Sequence, residues 1–172
     1  MKVYTMGEDV LRQKAVPLTE VTDETRLLID DMFTTMIAEN GVGLAAPQIG
    51  TSIRLFVLMA DDAIRRVFIN PQIVATSAET TSFEEGCLSV PKIWAPIVRP
   101  SKITVQALNE YGKPFILEAE GYLARIIQHE YDHLEGVLFI DRLDPESKKK
   151  AEEAFVRREQ RRLEKEKAKI AK

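Results

Sequence analysis

Between Glu24 and Glu39 the apolar residues Leu28, Ile29, Met32, Phe33, Met36 and Ile37 recur at three- and four-residue spacing, which lines one face of an α-helix. Thr22 and Asp23 carry side-chain oxygens suited to capping its start. Asn40 and Gly41 tolerate the left-handed backbone that ends a helix. The period then changes. Ile53–Leu58, Val67–Ile73, Ile103–Leu108 and Pro114–Glu118 are short runs, rich in β-branched and aromatic residues and separated by turn formers; each reads as a strand. Pro71 cannot donate to a ladder, so the second run is expected at a sheet edge. Asn109-Glu110-Tyr111-Gly112 predicts a hairpin turn. A second helix is expected from Tyr122 to Leu134, stopping near Gly136, and a third from Glu146, after Asp144-Pro145. Strands grouped between helices, rather than alternating with them, predict an α+β fold.

Composition narrows the class. The chain has 172 residues, 45% apolar and 30% charged, enough for one sizeable core and too few for two full-sized domains. No apolar run approaches membrane-spanning length. The first nine residues lack an apolar stretch followed by a small-residue cleavage site. A single cysteine excludes an internal disulfide and fits a reducing compartment; a cytoplasmic location is expected. The net charge of −3 conceals a division: residues 146–172 carry 11 Lys/Arg against 6 Glu, leaving −8 on residues 1–145.

The candidate chemistry lies among the scarcest residues. The two histidines stand in His129-Glu130-Tyr131-Asp132-His133, four apart on an expected helix. That spacing puts both imidazoles on one face, within reach of one ion. Glu130 is placed to act on a metal-activated water without ligating. A catalytic site usually takes a third protein ligand. Position 139, where some metalloproteases have a third histidine, is Phe139. Glu152 and Glu153 lie in a charge-rich run where solvated side chains are the rule. Cys87 remains, in Glu85-Gly86-Cys87-Leu88-Ser89-Val90-Pro91, and a Cys-His-His set suits zinc or ferrous iron. Gly41-Val42-Gly43-Leu44-Ala45-Ala46-Pro47-Gln48 is not a dinucleotide fingerprint, because a helix precedes it and Pro47 interrupts the helix that a fingerprint requires after it. It reads either as a tight turn or as a strand passing close to a ligand, with Gln48 offering an amide.

Together, in order and spacing, these three segments resemble the signature motifs of peptide deformylases, and the resemblance spans residues 1–145. It implies antiparallel strands packed around a central helix that carries the His-Glu-x-x-His motif. It also implies removal of the formyl group from N-terminal formylmethionine of nascent polypeptides. Cys87, His129 and His133 would hold one divalent metal ion, Fe2+ by family, with Zn2+, Ni2+ or Co2+ acceptable in its place. Hydroxide on that metal would attack, with Glu130 as general base and then acid. Gln48 and the Leu88 backbone N–H would stabilise the developing oxyanion. Val42, Phe83, Tyr122 and Ile126 match the pocket for the methionine side chain, and Gly43 lets the substrate backbone pair with a strand edge. Glu85, Asp132 or Arg99 would orient the ligating imidazoles. Lys92-Ile93-Trp94-Ala95-Pro96 departs from members with an arginine near the substrate backbone; a loop tryptophan is ordinarily a packing anchor.

The division of charge then separates a catalytic domain, residues 1–145, from a basic C-terminal helix, residues 146–172. The family includes members whose C-terminal helix docks on the ribosome. Arg157, Arg158, Arg161 and Arg162 give this tail a basic cluster suited to phosphate, while pairs such as Arg162–Glu166 suit a solvated helix. A zinc endopeptidase completed by Glu153, or an inactive metal- or ribosome-binding module, are the rival readings.

Overall fold

A computed structural model describes residues 1–171. The first helix, α1 (Asp23–Ala38), begins where Thr22 predicts. The Thr25 N–H donates to Thr22 Oγ1 at 3.3 Å, and the Thr22 N–H donates to Thr25 Oγ1 at 3.2 Å. This reciprocal cap satisfies two N–H groups that the first turn leaves without helical partners. Asn40 takes φ +58° just past the end.

Five strands form one antiparallel sheet in the order β1-β2-β3-β6-β7: β1 (Gly43–Ala45), β2 (Leu55–Met59), β3 (Arg65–Thr76), β6 (Lys102–Leu108) and β7 (Pro114–Glu120). Between β3 and β6 the chain forms a separate hairpin, β4 (Thr80–Cys87) and β5 (Val90–Pro100). The helix α2 (Gly121–Leu134) carries the histidines, and α3 (Pro145–Ile170) ends the fold.

Alternation along the strands creates two cores. Phe56, Leu58, Phe68 and Val105 pack against Ala124, Ile126 and Ile127 of α2. Leu55, Val57, Val67 and Ile69 face the opposite way, onto Ile29, Met32, Phe33 and Met36 of α1. The sheet is thus sandwiched between the helices, with α2 buried along most of its length. The expected α+β arrangement around a motif-bearing helix is the one observed.

Two expectations change. The run containing Pro71 is not at an edge: β3 lies in the middle of the sheet, between β2 and β6. The proline is accommodated by a break in register between Ile69 and Gln72, with Asn70 at φ +50°. A bulge turns the missing N–H out of the ladder. Pairing of β2 with β3 ends at Leu55–Ile69, and the Arg54 carbonyl accepts the Asn70 N–H at 2.8 Å, so Pro71 lies just beyond the last rung on that side. The hairpin β4–β5 is not among the expected strands. Glu84, Glu85, Pro91, Pro96 and Pro100 interrupt its apolar pattern, and a two-stranded sheet tolerates them because each strand has a free edge.

The root of α3 is packed and the rest of it is largely exposed. Ala151 and Phe155 pack with Val90, Ile97, Phe139 and Ile140. Asp144 caps the helix, accepting from the Ser147 N–H at 2.9 Å. Beyond Phe155 the helix is largely exposed, and Arg162 pairs along it with Glu159 and Glu166. No helix among the described residues is long and apolar enough to cross a membrane.

Candidate metal centre and cleft

Two neighbouring elements deliver the three ligand candidates. His129 and His133 project from successive turns of α2, and Cys87 ends β4, where a two-residue turn begins. Their donor atoms lie within 4.8 Å of one another, and Cys87 Sγ is 3.3 Å from His133 Nε2. Glu152 and Glu153 take no part in this cluster.

Salt bridges buried beneath the cluster fix its geometry. His129 Nδ1 is 2.8 Å from Glu85 Oε1, which turns Nε2 towards the other donors. Glu85 also accepts from Arg99 at 2.7 and 2.9 Å and from Arg125 at 2.9 Å. Arg99, only 2% exposed, reaches on to Asp132 at 2.9 Å, and Asp132 accepts two further bonds from Arg142 at 2.6 Å each. All three expected orienting residues therefore belong to one network. Glu85 holds the imidazole, Arg99 holds Glu85, and Asp132 compensates Arg99. Arg125 joins them without having been marked by the sequence. It sits among apolar residues on α2, where charge rather than pattern is the only signal, and also donates to the Ile97 and Thr81 carbonyls of the hairpin.

The electrostatics divide the groups by role. Burial opposes ionisation of Glu85, but hydrogen bonds from His129 and Arg99 hold its carboxyl below the usual range. Burial likewise works against the charged form of His129, yet hydrogen bonds to Cys87 and Glu85 raise it well above the ordinary value. Burial, with His129 and Arg99 nearby, pushes His133 well below its ordinary value and keeps it a neutral donor. Burial raises the Glu130 carboxyl to about 7. Glu130 Oε2 and His133 Nδ1 are buried without a protein partner, which is rare for polar atoms and costly unless something else engages them. One sulfur and two imidazole nitrogens form a donor set for a borderline-soft divalent ion, so the residues fit such a metal.

Gln48 faces the cluster from the 3-10 turn Ala46–Ile49. Its Oε1 accepts the Ala45 N–H at 2.9 Å, which leaves Nε2 directed at Ser89 Oγ, 3.1 Å away, and Cys87 Sγ, 3.6 Å away. The amide orientation is set by that first bond. Ser89, fully buried, stands in the cysteine segment, but nothing in the sequence assigns it a role of its own. Leu88 lies in the turn between β4 and β5.

A cleft of about 980 Å³ opens over these groups, lined among others by Val42, Gly43, Phe83, Leu88, Tyr122 and Ile126. The Phe83 and Tyr122 rings are 5.8 Å apart. Gly43 lies in an edge strand. The Val42 carbonyl accepts from Met59 N–H at 2.8 Å, so by ladder alternation Gly43 turns its own N–H and C=O away from β2. Gly43 has a second reason to lack a side chain: a Cβ there would stand 2.5 Å from Glu130 Oε1. Gly43→Ala is therefore expected to displace the Glu130 carboxylate. A displacement on the ångström scale costs about 100-fold in turnover, which steady-state kinetics would register while thermal melting shows the fold intact.

The polypeptide deformylase family model matches residues 1–149. The chain belongs to the peptide deformylase family. It is 49% identical over 144 residues to the peptide deformylase of Treponema pallidum, covering 84% of this chain and 88% of that one. It is 50% identical over 150 residues to that of Fusobacterium nucleatum, covering 86% of each. Among solved structures, the Legionella pneumophila peptide deformylase superposes with a TM-score of 0.89 at 41% identity, over 94% of this chain and 96% of that one. A peptide deformylase from Ehrlichia chaffeensis, in complex with actinonin, superposes with a TM-score of 0.88 at 37% identity, over 92% and 97%. Metal-dependent removal of formyl groups is the activity of this family.

Proposed function

We propose that this chain removes the formyl group from the N-terminal formylmethionine of nascent polypeptides, with Cys87, His129 and His133 holding a ferrous ion that Zn2+, Ni2+ or Co2+ can replace. The observation that carries this reading is the gathering of those three donors, with Cys87 and His129 lining one cleft together with the buried Glu130. A divalent ion bound there supplies Lewis acidity, polarising a carbonyl oxygen and acidifying water.

The chain's own residues do the rest. The Gly43 edge pairs with the substrate backbone, as an added strand would. Val42, Phe83, Tyr122 and Ile126 enclose the methionine side chain, placing the formyl carbon beside Glu130. Glu130 takes the proton from the attacking water at a carboxyl tuned close to neutrality, then returns it to the leaving amine. As negative charge develops on the formyl oxygen, Gln48 Nε2 and the Leu88 N–H donate to it. Their orientation is set in advance by the bond to Ala45 and by the β4–β5 turn, so little reorganisation accompanies the reaction.

The test is formate release from formyl-Met-Ala-amide by protein purified without oxygen, with metal content measured on the same sample. Cys87→Ser is expected to lower both metal content and turnover. Bound metal without formate release from the unmodified protein would overturn the reading. For Gln48→Leu the expected loss in kcat is about 100- to 1,000-fold, with metal content retained.

Residues 1–145 carry this chemistry, in a cytoplasmic enzyme, and residues 146–172 dock it on the ribosome. The exposure of α3 beyond Phe155 and the cluster of Arg157, Arg158 and Arg161 support that assignment. Ribosome binding should weaken as salt rises and disappear on deletion of residues 157–172, which leaves Ala151 and Phe155 in place; binding that survives the deletion would exclude the tail as the contact.

A further inference from the structure

The hairpin β4–β5 has two unlike faces. Glu85, Ala95, Ile97 and Arg99 are buried towards the interior, whereas Ser82, Glu84, Trp94, Pro96 and Val98 are exposed. Trp94 pairs across the ladder with Gly86, the residue before Cys87. A Cβ at Gly86 would stand 2.6 Å from Cε3 and Cζ3 of the indole. The ring thus lies on the glycine backbone, in the space a side chain would occupy. It is not a buried anchor: Trp94 is 64% exposed, and it lines the same cleft as the candidate metal ligands. Glycine and indole together make a flat apolar shelf one residue from a proposed ligand.

The role of this shelf rests on the deformylase reading. A substrate added as a strand along Gly43 turns its methionine side chain inward, towards Phe83, Tyr122 and Ile126. Successive side chains of a strand point to opposite faces. The residue after methionine therefore turns outward, to the face on which Trp94 covers Gly86. We infer that Trp94 is a specificity-determining residue for the second position of the nascent chain, favouring flat or apolar side chains there. Packing of such a side chain on an indole corresponds to about three- to tenfold in kcat/KM.

The metal-loaded enzyme is assayed with formyl-Met-Phe-amide, formyl-Met-Leu-amide and formyl-Met-Gly-amide. The unmodified chain is expected to favour the Phe and Leu substrates over Gly by about three- to tenfold. The ratio should fall to near one in Trp94→Ala and be largely kept in Trp94→Phe. Trp94 is the one tryptophan of the sequence, so its fluorescence reports occupancy directly. Met-Phe-amide should change the emission saturably, and Met-Gly-amide should do so less. A ratio unchanged in Trp94→Ala overturns the inference. So does an equal fall for all three substrates, which marks a packing role alone. No turnover of any of the three by the unmodified enzyme would instead strike the deformylase reading, and this inference with it.

Discussion

Glu130→Gln is expected to lower turnover of formyl-Met peptides by about 100- to 10,000-fold, the range that a positioned acid–base group supplies. Glutamine keeps the size and the position against Gly43 but cannot accept a proton. Metal content should be unchanged, because Glu130 lies beside the donor cluster and is not part of it. Stability should move the other way. Glu130 is 4% exposed, its Oε2 has no protein partner, and burial raises its carboxyl to about 7. Replacing a group that ionises at a cost with a neutral one leaves the melting temperature equal or higher. Kinetics and thermal melting on the same preparation test both halves; a large fall in melting temperature would mean that the carboxylate holds the fold together.

Arg99→Met is expected to destabilise the fold by about 3–5 kcal/mol, the cost of removing one partner from a buried ion-pair set. Methionine fills similar space but leaves Glu85 and Asp132 facing each other's charge without the guanidinium between them. For a chain of this length the melting temperature should fall by roughly 10 °C. Arg99→Lys should recover only part of that. An ammonium is a point charge and cannot make two parallel bonds to Glu85 while reaching Asp132. Metal affinity should fall as well, since Glu85 orients His129 and such supporting partners tune binding by about 10- to 100-fold. Urea unfolding and metal titration measure the two effects separately.

The helical elements are legible in the sequence because each carries its own signals. Thr22 caps α1, the stripe from Ile29 to Met36 sets its buried face, and Asn40 closes it, although Ile37, expected on that stripe, is exposed. The ligand candidates are legible because one cysteine and two histidines leave few combinations, and a four-residue spacing on a helix has one geometric meaning. The strands are less so. Pro71 reads locally as an edge signal, yet its strand lies inside the sheet, because the β2 ladder ends at Ile69 and the register breaks between Ile69 and Gln72, which leaves the proline no rung to fill. The hairpin β4–β5 has alternation on its inner face, at Glu85, Ala95, Ile97 and Arg99, but two of those four positions are charged. Burial of Glu85 and Arg99 depends on their pairing, and pairing is a long-range fact. The same holds for Arg125, whose partners lie on other elements. The need for Gly43 to make room for Glu130 is likewise hidden, since the two residues are distant in sequence.

That distance has a consequence for how the enzyme becomes active. Cys87 and His133 are separated by 46 positions, so no local stretch of chain can preorganise the donor set. During synthesis the sulfur leaves the ribosome well before the imidazoles, and the two meet only when the β4–β5 hairpin closes on α2. The Glu85–Arg99–Asp132 bridge fastens hairpin and helix at that same moment. A metal held by these three residues would therefore require the hairpin and α2 to have docked, and loading with metal should report that docking.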